Sequence, residues 1–128
     1  MPHKLKYSVL PEGLAVCRLG GSETIPTWAT SGGFFCVVRG IDELSIVVSE
    51  ELVPKDVLCE LGWIALKLEG PFPFSMTGVL ASFLQPLGDA RISIFAISTF
   101  DTDYVLIKRE QLERAQDALA AAGHLEIS

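Results

Sequence analysis

Apolar and polar residues alternate along several short stretches of this chain, the period of a strand with one covered face. Residues 7–10 and 14–19 read as two strand pieces around the turn Pro11-Glu-Gly13. In the second piece Leu14, Val16 and Arg18 alternate with Ala15, Cys17 and Leu19. Gly20 and Gly21 stop it, and residues 23–29 have room for one helical turn with Pro26 near its start. Trp28 is expected in the core. After the loop 30–33, residues 34–39 favour a strand by their aromatic and β-branched content. A turn at 40–42 returns the chain as the hairpin partner 43–49, and residues 53–58 form a loop or short helical turn.

From Trp63 onward the pattern is stronger. Ile64, Leu66 and Leu68 share one face of a strand, with Trp63, Ala65 and Lys67 on the other. Pro71 and Pro73 stiffen the loop that follows. Val79, Leu80, Phe83, Leu84 and Leu87 then recur with helical spacing. Pro86 is expected to distort or end that helix, and Gly88 to be its C′ residue. Residues 92–97 and 104–107 read as apolar strands, covered on most of both faces and joined by a polar corner. Leu112, Ala115, Leu119 and Ala122 line one face of a second helix that Gly123 closes, and 124–127 is a last strand. The order β-α-β-β-α-β predicts an α+β, ferredoxin-like plait, an antiparallel sheet with both helices on one face. The first half is an abbreviated copy, giving an expected division at residues 1–61 and 62–128.

Composition narrows the function classes. The chain has 128 residues, 49% hydrophobic and 20% charged, which is a folded rather than a disordered balance. A net charge of −6 without a basic cluster argues against nucleic acid as a partner. No apolar run is long enough for a signal peptide or a membrane span. Cys17, Cys36 and Cys59 are odd in number and sit among apolar neighbours, so free, buried thiols in a reducing cytoplasm are expected. No metal-ligand spacing, nucleotide-binding glycine loop or cysteine–base pairing stands out, so neither a cofactor nor catalysis is expected.

Two stretches carry candidate chemistry. The loop 72–78 leads into a helix start, where free backbone N–H groups favour an anion such as an α-carboxylate. Ser75 or Thr77 adds a hydroxyl there, and Gly78 admits a close backbone approach. Ser75 as a simple N-cap is the competing reading, and Met76 serves either as an apolar wall or as core. The corner 98–103 crowds Ser98, Thr99, Phe100, Asp101, Thr102 and Asp103 between two apolar strands. These residues either cap their own turn or grip a ligand cation, for which Asp103 is the best acceptor.

The stretch Gly70-Pro-Phe-Pro-Phe-Ser-Met-Thr-Gly-Val-Leu80, followed by Ser-Thr-Phe-x-Thr-Asp at 98–103 between an Ile/Phe and a Val/Leu strand, resembles the ACT domain. It is most similar to the ACT modules of aspartate kinases and CASTOR-type arginine sensors, and to small bacterial proteins with paired ACT modules. The resemblance is strongest from Trp63 to the C-terminus. It implies tandem ACT modules, the first abbreviated, and a non-catalytic regulatory protein that binds an amino acid. The ligand would lie against Phe72, Phe74, Ser75, Met76, Thr77 and Gly78, with Ser98, Thr99, Phe100, Asp101 and Asp103 opposite. Related modules often carry an acidic residue near the place of Ser75, which speaks against a strongly cationic ligand such as arginine. Because ACT clefts often lie between two units, a homodimer is implied. The alternative is an ACT-fold interaction module that has lost its ligand.

Overall fold

The computed structural model describes residues 3–127; Met1, Pro2 and Ser128, at the outer ends of the two expected modules, lie outside the described residues. Strands are β1 Lys6–Val9, β2 Leu14–Gly20, β3 Cys36–Arg39, β4 Glu43–Ser49, β5 Leu58–Leu68, β6 Phe95–Ser98, β7 Asp103–Lys108 and β8 Leu125–Glu126. The helices are α1 Val79–Asp89 and α2 Leu112–Ala121. Two compact units result, Glu12–Trp63 and Met1–Pro11 with Ile64–Ser128. The unit boundary falls within β5.

In the unit Glu12–Trp63 the strands neighbour one another as β3-β4-β2-β5, all antiparallel. The first strand of the unit lies between its third and fourth, as a plait requires. The register places Ala15 opposite Val48, Cys17 opposite Ile46 and Leu19 opposite Leu44, so these rows share one face. Ala29 joins them in the core, and half-buried Trp28 packs against it. Where a plait has helices, this unit has only the 3-10 turns Thr27–Thr30 and Glu50–Leu52. Phe34 and Phe35 precede β3 rather than forming part of it. Of the three thiols only Cys17 is buried; Cys36 and Cys59 are half-buried, which corrects the expectation that all three are covered.

In the other unit the neighbours run β8-β1-β5-β7-β6. The sequence pattern β5-α1-β6-β7-α2-β8 is the plait read from residue 63 onward, with one strand added. β1 is antiparallel to β5, with Tyr7 opposite Leu68, and parallel to β8, with Lys6 opposite Leu125. The sheet is therefore not wholly antiparallel. Both edges of β1 are bonded: toward β8, Leu125 N–H donates to the Leu5 carbonyl (2.8 Å) and Ile127 N–H to that of Tyr7 (2.7 Å), and on the β5 side Glu69 N–H donates to the Lys6 carbonyl (2.9 Å). Alternation revealed the strand but not its partners, because pairing between distant segments leaves no local period.

Both helices lay their apolar faces on this sheet. Phe83 and Leu87 of α1 and Ala115 and Leu119 of α2 are fully buried with Leu66, Leu68, Val105 and Ile107. The Phe83 ring meets Tyr7 edge-on, centroids 5.4 Å apart. Four expectations are corrected, the one for Pro86 only in that it was to end the helix. Pro86 does not end α1, which runs on to Asp89, and Gly88 lies inside it. The helix closes instead through Arg91 at φ 60, with Arg91 N–H bonded to the Gly88 carbonyl and Ile92 N–H to that of Leu87. Finally, β6 is a half-buried edge strand paired with β7 alone, so its faces are not mostly covered, and Ala122 is exposed beyond the end of α2.

Candidate functional site

The β6–β7 corner is closed by its own hydroxyls. Thr99 N–H donates to the Thr102 carbonyl (2.8 Å), which also accepts from Thr99 Oγ1 (3.0 Å). Thr102, buried, turns its hydroxyl to the Leu68 carbonyl (2.7 Å), anchoring the corner to the end of β5. Ser98 Oγ donates to Asp103 Oδ1 at 2.5 Å, a charge-assisted bond that fixes this carboxylate at the start of β7. The turn-capping reading thus holds for Thr99 and Thr102, while Asp103 takes one hydroxyl and keeps further lone pairs.

The loop between β5 and α1 is drawn onto this corner. Phe72 N–H donates to the Asp101 carbonyl at 2.8 Å. A Cβ at Gly70 would stand 2.7 Å from the same oxygen, so only glycine permits this approach. The Gly70–Pro71 peptide is cis. The loop ends at Gly78, whose φ of 79 places it in the left-handed region as the N-cap of α1, with no side-chain cap bond. Ser75 is therefore not the cap.

Between loop and corner opens a cleft of about 330 Å³. Phe72, Phe74, Met76 and Gly78 line one side, and Ser98, Thr99, Phe100, Asp101 and Asp103 line the other. Ser75 and Thr77 are exposed and do not line it; the Thr77 carbonyl instead accepts from His3 Nε2 at 2.9 Å. Pro73, Thr102 and the first α1 residues Val79, Leu80 and Ala81 complete the lining; Thr102 was read as part of the corner, whereas the helix residues were passed over. Thr102 had a legible signal, a hydroxyl in an already polar corner. The helix residues had none, since their spacing marks them as core. Above the cleft, Phe74 and Phe100 meet edge to face, centroids 4.8 Å apart, although 75% and 78% exposed.

The lining carries charge of both signs. The described charged side chains along it are the carboxylates of Asp101 and Asp103. The start of α1 lines the same cleft, and its first N–H groups carry the positive end of the helix dipole. A small zwitterion matches this arrangement: an ammonium toward the carboxylates, a carboxylate toward the helix start. Among the described residues no group of three or more His, Cys, Asp or Glu is placed to hold a metal ion. No helix among them is long and apolar enough to cross a membrane.

Comparison with known proteins bears on this geometry. The model of the ACT domain family matches residues 58–121, and a second model, described as an N-terminal domain, matches residues 12–56. A crystal structure of an Agrobacterium tumefaciens protein superposes with a TM-score of 0.93 at 42% identity, covering 98% of this chain and 93% of that one. The regulatory subunit of aspartate kinase from Thermus thermophilus shares the fold alone, with a TM-score of 0.63 at 12% identity over 91% of this chain and 96% of that chain. Among curated proteins, human CASTOR3P is 32% identical over 92 residues, 62% of this chain. The cytosolic arginine sensor for mTORC1 subunit 1 of Bos taurus is 26% identical over 98 residues, 68% of this chain. The chain spans 56% of the former's length and 30% of the latter's. The family match runs from the start of β5 to the end of α2, the segment that carries both the loop and the corner, and the chain belongs to the ACT domain family.

Proposed function

We propose that this protein is a non-catalytic regulatory ACT protein that binds a free amino acid in the cleft between the β5–α1 loop and the β6–β7 corner. The observation that carries the reading is that the Asp103 and Asp101 carboxylates and the start of α1 line one cleft. In this reading the first N–H groups of α1 hold the ligand carboxylate, and Asp103, steadied by Ser98, holds the ammonium. Phe72 and Met76 face the ligand side chain and favour one that is small or apolar. The curated relative named as a cytosolic arginine sensor supports a sensing role. Each unit is read as one ACT-like module, the first abbreviated, and the protein as a cytoplasmic homodimer in which ligand binding couples to the packing of modules.

A second reading has its own observation. Phe74 and Phe100 are large aromatics left three-quarters exposed at the cleft mouth, the kind of surface that partners cover. In that reading the chain is an interaction module without a ligand. A thermal-shift panel of the twenty amino acids, each at millimolar concentration, separates the two. A ligand at ~100 times its Kd adds about 2.7 kcal/mol, several degrees for a domain of this size. One clear stabiliser supports the sensor; a flat panel sinks it in favour of the interaction module.

A further inference from the structure

The unit Glu12–Trp63 holds a pair of thiols that the cleft does not use. Cys17 on β2 and Cys59 on β5 stand directly opposite each other in the antiparallel register. Paired residues in such a ladder have Cα atoms about 4.5–5.5 Å apart, inside the window of about 4.4–6.8 Å that a disulfide spans. Opposite residues also project from the same face, so the two sulfurs meet rather than diverge. Burial first, then the neighbouring Cys59, pushes the Cys17 thiol up to about 12. Cys36 pairs with Val47, and Val47 with Val16, which puts it on the opposite face from Cys17. The third thiol is thus no competitor for either sulfur.

We infer that Cys17 and Cys59 are a modification site, a cross-strand dithiol that closes to a disulfide when a small organic disulfide is the oxidant. Exposure assigns the order of events. Cys59 is half-buried and within reach of solvent, whereas Cys17 is 2% exposed. The Cys59 thiolate attacks one sulfur of the reagent, forms a mixed disulfide and expels one thiolate. Cys17 then gives its proton to water, attacks the Cys59 sulfur and expels the second thiolate. Two protein thiols are oxidised to one disulfide, and the reagent is reduced to two thiols. The second step is the slow one, because Cys17 is held as the thiol at neutral pH. Once closed, the bond ties β2 to β5 through a sulfur that solvent barely touches, so it resists reduction.

The test treats the folded Cys36→Ser chain with 2-hydroxyethyl disulfide at neutral pH and follows intact mass and free thiols. The expected product lies two hydrogens below the reduced chain, carries no free thiol, yields a peptide joining residues 17 and 59, and melts several degrees higher. A Cys17→Ser chain should stop at the mixed disulfide on Cys59. A mixed disulfide that persists while Cys17 is present would overturn the assignment. So would a folded chain whose Cys59 stays unmodified under conditions in which the urea-unfolded chain reacts. Peptide mapping of the unsubstituted chain gives the same readout with Cys36 in place.

Discussion

His124 Nε2 lies 3.0 Å from the Ser82 carbonyl, the acceptor that Pro86, four residues on, leaves without a helical partner. Its other nitrogen, Nδ1, accepts from the Leu5 N–H at 3.0 Å. A carbonyl only accepts and an amide N–H only donates, so the ring carries its proton on Nε2. One buried imidazole therefore joins the N-terminal segment to α1 and repairs the gap that proline makes. α1 continues past Pro86 to Asp89. His124→Ala leaves a part-buried carbonyl and a buried N–H unpaired and should cost about 2–4 kcal/mol in urea unfolding. Pro86→Ala restores a helical donor to Ser82. Adding it to His124→Ala should recover part of that loss, with a coupling of about 1 kcal/mol between the two sites. Strict additivity would mean that the Ser82 carbonyl is not what links them.

Arg91 closes α1 at φ 60, a conformation in which an L side chain crowds its own backbone. Gly123 closes α2 with the same pair of bonds, Gly123 N–H to the Ala120 carbonyl and His124 N–H to that of Leu119, at φ 92. The two helices thus end alike, one with the favoured residue and one without. Arg91→Gly should raise stability by about 1 kcal/mol, read as a higher thermal midpoint with unchanged far-ultraviolet dichroism.

These two helix ends show what the sequence exposes and what it conceals. Gly123 was legible, because a glycine after a periodic run is the common stop signal. At α1 the same rule pointed to Gly88, and the true stop fell on an arginine that carries no such signal. Pro86 reads locally as a breaker; its compensation comes from a histidine far along the chain, beyond any local period. The cleft behaves the same way. Phe72, Gly78, Thr99 and Asp103 stood out as a loop and a corner of unusual chemistry. That the Thr102 hydroxyl turns to the Leu68 carbonyl, and that the loop is drawn to the corner by the Asp101 carbonyl, depends on contacts that only the folded chain brings near. The strand β1 was legible as a strand, and its seat between β5 and β8 was not.

Tyr7 gives a pH dependence with a definite sign. Its side chain is buried beside Glu126, and burial first, then the Glu126 charge, pushes its hydroxyl from 10 to about 12. A group whose folded pKa is raised adds stability below its unfolded pKa, and that stability is lost as pH climbs through the folded value. Unfolding free energy should therefore be level up to about pH 10 on this account and fall by about 2 kcal/mol toward pH 12. Tyr7→Phe removes the ionisation and should flatten that decline. A Tyr7→Phe chain that loses the same stability over this range would place the alkaline transition elsewhere.

In the proposed function, Asp103 is the residue that holds the ligand ammonium. It is half-buried, held by Ser98, and lines the same cleft as the start of α1. Loss of a hydrogen bond to a charged group costs about 1.5–3 kcal/mol, ten- to hundredfold in affinity. Asp103→Asn should weaken binding of whichever amino acid stabilises the parent by that factor, measured by titration calorimetry. The thermal midpoint of the ligand-free chain should stay nearly constant, because only the Ser98 bond is altered. Equal affinity for parent and variant would remove Asp103 from the site.

Gly70 tests whether the cleft's width is set by the loop's approach to the corner. The Asp101 carbonyl accepts from Phe72 N–H at 2.8 Å and would sit 2.7 Å from any Cβ at position 70. Gly70→Ala must therefore push the loop away from the corner, at an overpacking cost of about 1–3 kcal/mol. That displacement lengthens the Phe72–Asp101 bond, so the Phe72 amide should exchange faster with solvent while amides inside β7 hold their protection. The facing walls, Phe72 from the loop and Thr99 to Asp103 from the corner, then separate, and affinity should fall although Asp103 is untouched. A Gly70→Ala chain that keeps both its Phe72 protection and its affinity would show that the loop holds its place by other contacts, and that the glycine is not what shapes the cleft.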